Sequence, residues 1–64
     1  MQTRFNLKTE ALEHVPGWSV TTWKTARFGW HFEVTGPKGT WDGGGFYNER
    51  EAKSAGLQSV YRAR

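Results

Sequence analysis

No cysteine occurs anywhere in this chain of 64 residues. That absence narrows the possible folds more than any residue that is present. A domain of about 60 residues buries only about 60% of the surface its unfolded chain exposes. Small scaffolds usually supplement such a thin core with disulfides or a metal. Disulfides and Cys-ligated zinc are excluded here. His14 and His31 are the only nitrogen ligands, and they stand in no recognised ligand spacing. No metal site and no cofactor are expected. The core must therefore come from rings: four Trp, four Phe and two Tyr. Each buried ring removes about 150–250 Å² from water. Burying five would contribute roughly 25 kcal/mol gross, most of it offset by ordering entropy. A marginal monomer or a homodimer fits that balance.

Other classes fall away on similar grounds. The aromatic content argues against a fully disordered tail. No apolar run approaches the ~18–20 residues of a membrane span, and no segment resembles a signal peptide. A cytoplasmic chain with no membrane partner is expected. So short a chain also has little room for a deep enclosed active site.

Period-two alternation marks the strands. Trp30, Phe32 and Val34 fall on one face, and His31, Glu33 and Thr35 on the other. Residues 18–25, rich in β-branched and aromatic types, read as the strand before it. Ala26 to Gly29 connects the two. Gly36-Pro37-Lys38-Gly39 forms the next turn, with Pro fixing φ. Thr40-Trp41-Asp42 opens a third strand, which Gly43-Gly44-Gly45 loosens as a bulge or bend before Phe46-Tyr47. Residues 2–8 also alternate and suggest a short edge strand. In a competing reading Thr9 caps a short helix through Glu13. Pro16-Gly17 ends either element.

Asn48 and Glu51 stand as a near capping box, and Glu49 and Glu51 precede Arg62 and Arg64 in the order the helix dipole favours. A helix over 49–62 is expected. Its face of Ala52, Ala55, Gly56, Ser59 and Ala63 is small throughout. Such a face admits close approach to a sheet carrying Trp30, Phe32 and Phe46. The fold class is α+β: a three-stranded antiparallel sheet over 18–47, packed against one C-terminal helix. Residues 1–17 supply a fourth strand or an arm, and the 64 residues form a single small domain.

From Trp30 onward the order of residues resembles that of DNA-binding domains built from a three-stranded sheet and a C-terminal helix. The plant ethylene-response-factor domain and the arm-binding domain of some integrases are of this type. The similar elements are Trp30-His31-Phe32-Glu33-Val34, the turn Pro37-Lys38-Gly39, Trp41 and Phe46 around a Gly, and Glu51-Ala52 with Ala55 in the helix. They cover about half the chain. The plant domain lays its helix-free sheet face into the DNA major groove. The resemblance implies that His31, Glu33 and Thr35 are exposed on that face, with Arg27 before the strand and Trp41 on the next. The sequence departs from the family in its few sheet arginines, with Thr35 where the family has Arg.

Several motifs bear on function. Nine Lys and Arg against six Asp and Glu give a formal charge of +3. Residues 14–32 and 52–64 contain no acid. Lys24, Arg27, Lys38, Lys53, Arg62 and Arg64 are candidate phosphate contacts. The triple glycine lacks the Lys-Ser or Lys-Thr ending of a P-loop and reads as a bulge. Glu33 and Asp42 stand on neighbouring strands without an activated nucleophile, so catalysis is not expected. Trp30 is the first candidate for the core; Trp18 and Trp41 are surplus rings available to a partner. Two functions remain open. One is a non-enzymatic domain that contacts DNA through its open sheet face, using Lys24, Arg27, His31, Glu33, Lys38 and Trp41. The other is an inhibitor, encoded by a phage or mobile element, that binds a host protein as anti-CRISPR proteins do.

Overall fold

The structure, a computed structural model, describes residues 3–63. Four strands precede one helix: β1 (Phe5–Ala11), β2 (Ser19–Thr25), β3 (Gly29–Gly36), β4 (Gly39–Phe46) and α1 (Glu49–Ala63). The strands form one antiparallel sheet in chain order, β1-β2-β3-β4. The N-terminal segment is thus a fourth, edge strand, and the helix alternative at Thr9 is set aside. Thr9 pairs with Thr21, and their hydroxyls lie 2.8 Å apart. The simple alternation expected over residues 2–8 does not survive, because the register slips between Phe5 and Lys8 around Asn6 at φ 53°. Asn tolerates that left-handed conformation better than most residues. Residue 2 lies outside the described residues.

Parity sorts the sheet into two faces. Val20, Phe32 and Val34 face the helix. Thr21, Trp23, His31 and Glu33 face away. The helix lays Ala52, Gly56 and Val60 against the first set, and all three are buried. Gly56 lets the helix approach closely there. A methyl group in its place would stand 3.0 Å from Val20 and 3.3 Å from Phe32. Val15, Trp18, Val20, Phe32, Val34 and Val60 form the buried cluster, flanked by Leu12, Trp41, Phe46, Ala55 and Leu57.

The cap expected at Asn48 forms. Its Oδ1 accepts from the Glu51 amide at 2.8 Å, and the Glu51 carboxylate accepts from the Tyr47 amide at 3.3 Å. At the other end Lys38 donates to the Ala63 carbonyl at 2.9 Å. A cation at the C-terminus complements the helix dipole.

The triple glycine does two jobs in the sheet. Gly44 and Gly45 together stand opposite His31, and Gly45 takes φ 82°, so the expected bulge forms. Gly43 sits under Phe32 on the helix side, and Gly44 sits under His31 on the open side. A Cβ at position 43 would lie 2.6 Å from the Phe32 ring. The run lets rings approach β4 closely from both faces.

Three tryptophan assignments change. Trp18 is buried, not available to a partner: its ring fills the space that Gly36 leaves by lacking a Cβ. Trp41 packs with it edge to face at 5.5 Å. Trp30 stands outside the core cluster, half-buried, opposite Phe46 at the end of the sheet.

Candidate binding surface

The surface is built from the register of the strands. A turn with Pro37 and Lys38 at its centre pairs Gly36 with Gly39, which sets Thr35 against Thr40, Val34 against Trp41 and Glu33 against Asp42. Residues paired across strands share a face. Trp41 therefore lies with Val34 on the helix side, and its expected place on the open face is corrected. Lys24 is corrected in the same way. It pairs with Trp30 and Phe5, on the parity of Val20, and is exposed beyond the core.

The face left open by the helix does hold His31 and Glu33, as expected. It is not basic. Thr21, Glu33 and Asp42 stand side by side on β2, β3 and β4. Two carboxylates in register repel each other and any phosphate brought to them. Toward the β2–β3 turn the same face is closed by a stack. The Arg4 guanidinium sits 4.3 Å over the Trp23 ring, and Trp23 lies parallel to His31 at 5.5 Å. Trp23 is only 5% exposed although no helix covers it. Arg4 acts as its lid through a cation–π contact.

Beneath this stack lies the β2–β3 turn, tied by one hydroxyl. Thr25 Oγ1 accepts from the Phe28 amide at 3.3 Å and lies 3.0 Å from His31 Nε2 and 3.4 Å from the Gly29 carbonyl. Thr25 is buried. Gly29 closes the turn at φ 75°, where a Cβ would meet the Phe46 carbonyl at 2.7 Å. The turn is thereby held in one shape. It presents Arg27 and Phe28 outward, with Phe28 55% exposed.

Next to it runs a single cross-strand row: Phe5, Lys24, Trp30 and Phe46, one residue from each strand. Phe5 is 46% exposed and Trp30 half-buried, with exposed Lys24 between them. Arg27 and Phe5 line a shared shallow cavity with Thr3 and Ala26.

The cations divide into engaged and free. Lys8 pairs with Glu49 at 3.7 Å and Lys53 with Glu10 at 2.6 Å, joining β1 to the helix. Lys38 caps the helix. Of the expected basic contacts, Lys38 and Lys53 are thus occupied within the fold, and Arg64 lies outside the described residues. Among the described residues Lys24, Arg27 and Arg62 have no ion-pair partner; Arg62 stands apart from the other two, in the last turn of α1. Lys24 and Arg27 both sit at the β2–β3 end of the sheet.

Sequence reasoning found Lys24 and Arg27 but missed Phe5, Phe28 and the Thr25 tie. The acid-free run from His14 to Phe32 already pointed to this hairpin. What it lacked was the pairing of Phe5 with Lys24. Among the described residues no group of three His, Cys, Asp or Glu is placed to hold a metal. No helix among them is long and apolar enough to cross a membrane. Set against protein families, curated proteins and solved structures, the chain matches none.

Proposed function

We propose that this chain is a non-enzymatic binding domain that contacts DNA through the β2–β3 end of its sheet. One observation carries the reading: Lys24 and Arg27, exposed cations at this end without an acid partner, stand beside exposed Phe5 and Phe28, whereas the Arg4 guanidinium there is engaged over Trp23. Cations supply the salt-sensitive attraction to phosphates, and rings supply contact area to bases and sugars. The hairpin is the better contact than the open sheet face, because Glu33 and Asp42 would oppose a phosphate backbone there. His31 then serves as the platform beneath Trp23 and as a partner of Thr25, which hold the hairpin.

The test is a salt titration of binding to a labelled DNA oligonucleotide. Binding should weaken steeply as salt rises. Arg27→Ala and Lys24→Ala should each reduce the slope of log K against log salt by about 1. Absence of salt-sensitive binding at low ionic strength overturns the proposal.

Tyr47 favours a second reading. It follows Phe46 at the same end and is 91% exposed. Exposed Tyr is enriched among the anchors of protein interfaces. An inhibitor of a host protein, of the kind phages and mobile elements encode, would use Tyr47, Phe28 and Phe5 as anchors. A nuclease-resistant stoichiometric partner, lost on Tyr47→Ala, would favour this reading over the first.

A further inference from the structure

We infer that the nucleic acid taken at the β2–β3 end is single-stranded. This rests on the nucleic-acid reading above and specifies its substrate. Three features of the surface carry it. First, its rings are open to solvent: Phe28 in the turn is 55% exposed and Phe5 at the start of β1 is 46% exposed. In a duplex the base faces are already stacked, so these rings gain nothing from them. In a single strand every base offers a free face, and stacking is tolerant of sequence. Second, Arg27 is the one polar side chain that the turn 26–29 could offer to a base edge in a groove. Thr25 has its hydroxyl buried and committed to Phe28 and His31. Arg27 and Lys24 remain, and they suit phosphates. Third, the broad element that could enter a major groove is the open sheet face, where Glu33 and Asp42 stand in register.

The cross-strand row fits an unpaired strand in detail. Phe5 and Trp30 flank Lys24 on adjacent strands. Two strand spacings separate their backbones by about 10 Å. A base can lie on each ring while the phosphate between them meets the Lys24 ammonium. Arg27 and Phe28 extend the same pattern of cation and ring around the turn. The Thr25 tie keeps the turn in shape before binding, so less ordering is lost on association.

The experiment measures fluorescence anisotropy with a labelled oligo-dT of about 15 nucleotides and with a mixed-sequence duplex of the same length, both at about 50 mM salt. Single-strand affinity should exceed duplex affinity at least tenfold. Phe28→Ala and Phe5→Ala should each lower single-strand affinity about tenfold, while leaving the salt slope unchanged. Both positions are exposed, and circular dichroism of each variant checks that the fold is kept. Equal or tighter binding of the duplex overturns this inference and leaves DNA binding standing. Single-strand binding that is lost on Lys24→Ala but insensitive to both Phe variants also overturns it, because charge alone would then account for the affinity. No binding to either oligonucleotide overturns this inference and the function it rests on.

Discussion

Gly43→Ala tests the packing of the sheet most directly. An Ala methyl at this position would stand 2.6 Å from the Phe32 ring. Carbon atoms in contact sit about 3.5–4.0 Å apart, so the ring or the strand must retreat by about 1 Å. Phe32 has nowhere to go. It is 6% exposed, faces Gly56 across the helix interface and packs on Phe46 at 5.8 Å. Overpacking of this kind costs about 1–3 kcal/mol, and a ring confined on three sides belongs at the upper end. A chain of this length has a total stability of roughly 3–10 kcal/mol. At about 4–8 °C per kcal/mol, the loss should lower Tm by about 10–20 °C. Thermal and urea unfolding followed by circular dichroism measure it. Shortening the ring in the double variant Gly43→Ala/Phe32→Leu should recover part of the loss, with a coupling of at least about 1 kcal/mol. A Gly43→Ala protein that melts within about 2 °C of the parent would refute the reasoning, since the close approach would then carry no energy.

Two further perturbations probe the supports of the candidate surface. Thr25→Val keeps the shape of the side chain but removes the hydroxyl that serves Phe28 and His31; a cost of about 1–3 kcal/mol is expected, with Thr25→Ser restoring most of it. Amide exchange at Phe28 should accelerate in the Val variant, and unchanged protection there would count against the tie. Asn48→Ala removes the cap at the start of α1 and should cost about 1 kcal/mol in urea unfolding, whereas Asn48→Asp should be nearly neutral. Equal losses for Ala and Asp would mean that the side-chain oxygen is not what holds the first turn.

What was legible in the residues depended on how local its cause was. The alternation Trp30-Phe32-Val34, the Pro37-Lys38 turn, the bulge at Gly43-Gly44-Gly45 and the Asn48 cap each follow from forces acting within a few residues. All of them appear where expected. The small face of α1 was equally readable, because Ala52 and Gly56 recur at helical spacing whatever they pack on. The tryptophans were not readable in this way. Trp18 is buried because Gly36, far along the chain, lacks a Cβ where its ring lies. Trp41 faces the helix because the turn pairs it with Val34. Trp30 is less buried than its alternation implied, because its row lies at the end of the sheet. The cations divide on the same principle. Each carries its charge in the sequence, but only the assembled fold takes Lys8 to Glu49, Lys53 to Glu10 and Lys38 to the helix terminus, leaving Lys24 and Arg27 unpaired beside Phe5 and Phe28. Local propensity decides which elements form. Register and packing, which join residues distant along the chain, decide which side chains remain available to a partner.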